Sequence, residues 1–425
     1  MKVAIVGAGI IGVTTAYELA ADGHDVTVLE RHGAAALETS FANAGVVAPG
    51  YVTPWAAPGM PGKVARYLFS RHAPVRVCWP LAAHEVRWMM RWRSACDMDT
   101  YMANRARLQR LAFYSRHRLQ QLTEDLQLEY DHSRGYLVLL RAERDRKLVQ
   151  PGLQLLRDSG IKFQEVDAAQ ARELEPALNP DTQFLGGVYL PDDEVGNCRQ
   201  FALLLKNQAQ ALGAHFEFNC SVAPLDPAQP TTLRLTQVGD AAPTATARFD
   251  AVVVCGGLAS ADLLRPVGLR VPLAAVHGYS ISAPIREPLN APRSGVMDDR
   301  YKVAISRLGN RVRVAGSAEI GGQPDRKRPE AIRTLYKVLQ DWFPGAAQMA
   351  NTGSAVQEWK GARPMLPDGP PVLGPSGVPG VWVNIGHGSS GWALACGSAR
   401  ALADLVSQRA PEVDLEGLGV ERLAS

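Results

Sequence analysis

The chain has no cysteine pair spaced for a metal or redox motif. Its six cysteines, Cys78, Cys96, Cys198, Cys220, Cys255 and Cys396, are scattered, with no CxxC among them. That argues against a zinc site or a disulfide frame and fits reduced, mostly buried thiols in a cytosolic protein. No run of about eighteen or more apolar residues occurs, so no segment is read as a membrane span. An excess of one charge is missing too. Lys+Arg 45 against Asp+Glu 42 leaves +3, too even to make nucleic acid the main partner. Internal repeats, long disordered tracts, a serine–histidine–acid set and a cluster of metal ligands are all absent from the sequence pattern. The apolar N-terminus lacks a strong basic leader and is broken by glycine, so it is read as structure and not as a signal peptide. With 425 residues the chain can bury a large core in two or three domains.

What is present is concentrated first in residues 1–30. Lys2-Val3-Ala4-Ile5-Val6 is a short apolar run suited to a buried parallel strand. It leads into Gly7-Ala8-Gly9-Ile10-Ile11-Gly12, a GxGxxG, then a helix over Val13 to Ala21 and a second strand, Val26 to Leu29, ending in Glu30. Gly7 permits the tight turn, Gly9 lets a pyrophosphate approach the backbone, and Gly12 lets helix and strand pack closely. The helix start, with the N–H groups of Ile10 and Ile11, offers positive potential to phosphates. Glu30 can accept from ribose hydroxyls and would repel a 2′-phosphate. Strand, helix, second strand and acid in register predict a dinucleotide site.

Further along, Thr39-Ser40-Phe41-Ala42-Asn43-Ala44-Gly45 is a small-residue loop suited to lie against a ligand. Lys63 to Leu128 reads as mainly helical, with helices also over Glu143–Asp158, Asn197–Leu212 and Arg328–Trp342. Ala251 to Gly257 is a second buried strand ending in Gly256-Gly257, another strand end at the cofactor crevice. Val271 to Glu319 alternates as an antiparallel sheet does. Near the end, strand Val381 to Ile385 runs into Gly386-His387-Gly388-Ser389-Ser390-Gly391 and a helix from Trp392. This second glycine loop and helix start would suit negative charge at the N1–C2=O edge of a reduced flavin, which tilts the dinucleotide from NAD toward FAD.

With these residues set out, the chain resembles the D-amino-acid dehydrogenase small subunit family, within the D-amino-acid oxidase and glycine oxidase group of FAD enzymes. The likeness rests on Gly7-x-Gly9-x-x-Gly12, Glu38 to Gly45, Pro49-Gly50-Tyr51 with Pro54 to Gly59, and Arg71-His72-Ala73-Pro74. It continues through Gly278-Tyr279-Ser280, Tyr301-Lys302, Arg363-Pro364-Met365, Pro367-Asp368-Gly369, and Gly386-His387-Gly388 with Gly391-Trp392. His277 departs from an expected lysine, and Ser389-Ser390 from threonine-leucine. The resemblance implies an α/β fold, a Rossmann-like FAD domain plus an α+β substrate domain with an antiparallel sheet, and oxidation of a D-amino acid to a 2-oxo acid and ammonia. Electrons would pass to a quinone-type acceptor. An oxygen-using oxidase of the same fold, a D-proline or D-hydroxyproline dehydrogenase, and a non-catalytic dinucleotide-binding module are the alternatives.

The FAD, expected to be non-covalent, would contact Gly7, Gly9, Ile10, Ile11, Gly12, Glu30, Arg31, Ser40, Asn43, Ala44, Gly45, Val222, Gly256, Gly257, Gly386, Gly388, Ser389, Gly391 and Trp392. Arg363 is the candidate for the substrate carboxylate, since a planar guanidinium can hold it with two hydrogen bonds. Tyr279 and Tyr301 are candidates for a second carboxylate contact, and His387 for a proton carrier or a structural histidine. Residues 1–60, 141–270 and 351–425 are assigned to the FAD domain, 61–140 and 271–350 to the substrate domain. Finally, Lys63 to Arg93 sets seven basic residues against Glu85, interleaved with Trp79, Trp88 and Trp92. Such a stretch suits an anionic membrane surface. The expected location is cytoplasmic, peripheral on the inner face of the membrane.

Overall fold

The N-terminal run forms the middle of a parallel sheet. In the computed structural model, which describes residues 1–67, 72–240, 242–348 and 356–424, Lys2–Val6 pairs in parallel with Asp25–Leu29 and with Ala251–Val254. The order across the sheet is Val372–Pro375, Val381–Ile385, Ala251–Val254, Lys2–Val6, Asp25–Leu29, His215–Glu217. Only the Val372–Pro375 edge runs antiparallel. A strand covered on both faces must be apolar throughout, and Val3, Ala4, Ile5, Val252 and Val253 are all fully buried. Helices Ile10–Ala21, Cys198–Ala211 and Gly391–Val406 cover one face, with helix Met98–Asp125 packed on the last. The three-stranded sheet Cys220–Val222, Thr232–Gln237, Ala245–Arg248 covers part of the other.

A second, ten-stranded sheet stands beside the first. Its main path runs Gln357–Met365, Ala274–Pro284, Arg311–Ile320, Val303–Leu308, Gly295–Asp298, Ser133–Leu140, Gly186–Val195, Val46–Val47. Most pairs are antiparallel, as the alternation over Val271 to Glu319 predicts. Helix Pro329–Trp342 packs its Ile332, Leu335, Val338, Leu339 and Trp342 on one face. Trp88 and Trp92 of helix Ala83–Ser94 help cover the other, beside Val276 and Met365.

Three expectations need correction. The Met98–Asp125 helix, placed with the substrate domain, buries Leu108, Leu111, Leu119 and Leu122 in the core of the parallel sheet. Its apolar stripe needed a partner, and the helices over the phosphate turn supply it. Conversely, Val46–Val47, Gln164–Asp167, Gly186–Val195 and Gln357–Met365, placed with the FAD domain, are strands of the ten-stranded sheet. Gly186–Val195 hides its nature behind Pro191 and three acids. Its pairing with Ser133–Leu140 shifts register between Arg134 and Tyr136, an interruption of the ladder beside which a proline is tolerated. Third, of the three tryptophans expected at a surface, Trp88 and Trp92 are buried, and Trp88 Nε1 donates to Met365 O at 2.9 Å. Arg71 of that stretch lies outside the described residues.

Candidate active site

A cavity of about 260 Å³ opens at the carboxyl ends of the parallel strands, lined by Val6, Leu29, Cys255 and Ile385. Its floor is the first glycine turn. A Cβ on Gly12 would lie 1.8 Å from Gly7 O, and one on Gly7, at φ +104°, would press on Cys255 O at 2.9 Å. Helix Ile10–Ala21 starts without a side-chain cap and without an acid in its first turn, so its positive end is not answered from within. Ser40 Oγ accepts from Ile10 N at 3.0 Å, holding the 39–45 loop against the turn. Glu30 is pinned by two backbone donors, Ala8 N at 2.7 Å and His32 N at 2.9 Å. A carboxylate has about four acceptor positions, so lone pairs remain for hydroxyl groups.

The C-terminal glycine loop forms the opposite wall. Gly386 and Gly388 have φ of +77° and +56°, and Leu366 and Met365 press on the places a Cβ would take. Helix Gly391–Val406 also lacks a side-chain cap and a first-turn acid. Two buried polar atoms of cavity residues have no partner, Trp392 Nε1 and Asn384 Oδ1. A donor and an acceptor left this way await a ligand with matching groups.

Strand Gln357–Met365 brings Arg363 next to Pro364, which lines this cavity, although Arg363 itself is not part of the lining. Thr39 Oγ1 donates to Ala362 O at 2.6 Å, Pro364 lines the cavity, and Met365 bridges to His387. The Arg363 side chain lies over Gly278, where a Cβ would come within 2.3 Å of the guanidinium. Its Nη1 donates to Ser317 O at 3.1 Å, from a residue held at φ +59°. No carboxylate pairs with it among the described residues, and burial pushes it down to about 10. It stays cationic at neutral pH and is free to take an anion.

The other sequence candidates are placed differently. Tyr279 stands opposite Lys360 in the ladder, while Arg363 stands opposite Val276, an odd step away and so on the other face. Tyr279 donates to Glu319 Oε2 at 2.7 Å, and Lys360 Nζ holds the other oxygen at 2.7 Å. Tyr301 lies on that outer face as well, packed on the core of Trp342 with the Arg141 guanidinium 5.2 Å from its ring. Neither tyrosine meets Arg363. His387 is buried, bonds Ser398 Oγ at 3.0 Å, and is pushed by burial down to about 3, so it remains neutral. It also lines the cavity.

Gly7, Gly9, Ile10, Ile11, Glu30, Arg31, Ser40, Asn43, Val222, Gly256, Gly257, Gly386, Gly388, Gly391 and Trp392 line the cavity. Gly12, Ala44, Gly45 and Ser389 do not. Gly12 acts by close packing, and Gly45 O accepts from Gly196 N at 2.7 Å, facing the second sheet. Thr39 and Pro364, named above within motifs, line it as well, and Asn384 lines it although nothing in the sequence singles it out. Asn384 stands in strand Val381–Ile385, one residue before its end at the crevice, and that position is the signal that could have found it.

A parallel sheet with this turn, facing a cation on a second sheet, defines a dinucleotide-binding oxidoreductase. The chain belongs to the FAD dependent oxidoreductase family, which matches residues 2–405. FAD is its cofactor. D-amino acid dehydrogenases of Cereibacter sphaeroides and Bradyrhizobium diazoefficiens are each 42% identical, covering all of this chain and 96% and 99% of theirs. Glycine oxidase from Geobacillus kaustophilus has a similar structure, with TM-score 0.76 and 22% identity over 99% of this chain and 98% of that one. L-alpha-glycerophosphate oxidase from Mycoplasma pneumoniae, solved with FAD bound, gives TM-score 0.66 and 18% identity over 96% and 94%. The glycine cradle, the free lone pairs of Glu30 and the unpartnered atoms of Trp392 and Asn384 fit such a group.

Proposed function

We propose that this flavoprotein oxidises D-amino acids to imino acids, which water converts to 2-oxo acids and ammonia. Arg363 carries this reading: it is a buried charge on the strand whose next residue, Pro364, lines the cofactor cavity, and no carboxylate answers it among the described residues. A substrate α-carboxylate would answer it, and the curated relatives carry the name D-amino acid dehydrogenase. FAD supplies the hydride acceptor when bound. The protein's part is to fix the substrate by its carboxylate, turn Cα–H toward the cavity, and exclude water, so orientation carries most of the rate. Ser317 O accepts from the guanidinium and helps to fix its position. In this reading the parallel sheet serves the cofactor and the ten-stranded sheet serves the substrate.

Electrons would leave to a quinone-type acceptor at the inner face of a membrane, where the protein docks peripherally. Among the described residues no helix is long and apolar enough to cross one. Trp79 is 73% exposed, and Met90 and Val86 stand out on the helix face turned away from Trp88, with Arg87 and Arg93 on either side. Anaerobic D-alanine should bleach the yellow holoprotein while L-alanine leaves it yellow. Acid precipitation should then leave the colour in the supernatant, as a non-covalent cofactor requires. A spectrum unmoved by any D-amino acid would overturn the reading.

A further inference from the structure

We propose that Trp359 is the wall on which the substrate side chain packs, and that the enzyme accordingly prefers D-amino acids with larger apolar side chains over D-alanine. This rests on the assignment of Arg363 to the substrate carboxylate. In the ladder between Ala274–Pro284 and Gln357–Met365, Gly278 stands directly opposite Gly361. Neither glycine has a side chain, so the pair makes a flat floor, with its Cα atoms roughly 5 Å apart. Two large groups lie on that floor. A Cβ on Gly278 would meet Arg363 Nη2 at 2.3 Å, and one on Gly361 would meet the Trp359 ring at 1.6 to 2.4 Å. Residues two apart on a strand share a face, so guanidinium and indole lie side by side on the same surface.

The indole is only partly buried and is not among the residues packed into or against any hydrophobic core cluster of the described residues. Among the described residues it therefore does not serve to fill the interior. Lying across Gly361, it sits beside a cation that no carboxylate answers among the described residues. An α-carboxylate on Arg363 leaves three groups on Cα. With Cα–H turned to the cofactor, the side chain is free to run along the floor onto the indole face. An apolar chain loses water there against an aromatic surface, while a single methyl reaches little of it.

The test compares kcat/KM for D-methionine and D-alanine, each read from anaerobic reduction of the flavin, in wild type, Trp359→Ala and Trp359→Phe holoenzyme. In the wild type the ratio should favour D-methionine. In Trp359→Ala it should fall tenfold or more, and Trp359→Phe, which keeps a flat ring, should stay within about threefold of wild type. FAD content, measured by the visible spectrum, should stay near that of wild type in both, which separates substrate packing from a damaged fold. A ratio that rises or stays within threefold in Trp359→Ala overturns the inference while leaving the D-amino acid reading intact. If no D-amino acid reduces the wild-type flavin, the reading itself fails, separately.

Discussion

At the scale of single residues, a guanidinium kept half-buried with no counter-ion among the described residues destabilises the fold, and a bound carboxylate would recover that loss. Replacing Arg363 by Ala should raise KM strongly and lower kcat/KM for D-alanine by roughly a hundredfold, about 3 kcal/mol for a charge-assisted bidentate contact. Arg363→Lys should recover only part, because an ammonium cannot reproduce the fork. Near-normal turnover in the alanine variant would move the carboxylate site elsewhere. A second group makes a pH prediction. Asp193 is buried, with one oxygen unpartnered and Arg116 3.5 Å from the other, and burial pushes it up to about 7. Its pKa in the folded chain thus lies above the unfolded value, so the folded state holds a proton the unfolded state has released. The stability it lends is complete below about pH 4 and is lost as pH rises through about 7. Asp193→Asn should therefore be more stable than wild type at pH 8, by about 2 kcal/mol, and gain little at pH 4. Urea unfolding of holoprotein at the two pH values measures this, and an equal effect at both would assign the titration to another group.

At the scale of elements, the phosphate turn separates two uses of glycine. A Cβ on Gly9 would meet nothing closer than Ser40 Oγ at 3.6 Å, whereas one on Gly12 would collide with a backbone oxygen. Gly9→Ala should leave apoprotein stability near wild type and weaken FAD binding, because the methyl fills space the cofactor needs. Gly12→Ala should lower the melting temperature of the apoprotein itself, since helix and strand must separate. Thermal unfolding without FAD, followed by FAD titration, distinguishes the two, and equal melting of the variants would remove the close-packing argument. This turn was legible in the sequence because its glycines, strand, helix and Glu30 all obey one local geometry. Arg363 was legible because a motif carries it. Tyr279 and Tyr301 were misplaced because a motif gives identity but not face: one odd step along a strand turned Tyr279 from the cavity to Glu319. Gly186–Val195 went unread because its acids and proline are tolerated only by pairing with distant strands. Trp359 had no signal in sequence, as its surroundings come from the register of two strands far apart in the chain.

At the scale of the whole molecule, the exposed flank of helix Ala83–Ser94 joins charge to apolar surface. Burying Trp88 and Trp92 in the core leaves Val86 and Met90 as its outward apolar groups, beside exposed Arg87, Arg91 and Arg93, with Trp79 exposed ahead of the helix. Of the three tryptophans that the sequence pattern sets at a membrane surface only Trp79 stays exposed, and Val86 and Met90 join it while the charge remains. Each arginine near an anionic leaflet contributes about 1 kcal/mol, fading over a Debye length of about 8 Å at physiological salt. Trp79 and Met90 would then seat at headgroup depth. Binding should be reversible, stronger on vesicles with anionic lipid and weaker at high salt. Replacing Arg87, Arg91 and Arg93 together with Gln should reduce sedimentation with vesicles and turnover with a membrane quinone, while activity with a soluble dye is spared. Trp79→Ser should weaken binding in a way that high salt does not mask, because its contribution is apolar. Trp88→Ser, in contrast, should lower the melting temperature, because that ring belongs to the core. If wild type fails to sediment with anionic vesicles at low salt, the arginines are a solvated face and the acceptor is reached by some other surface.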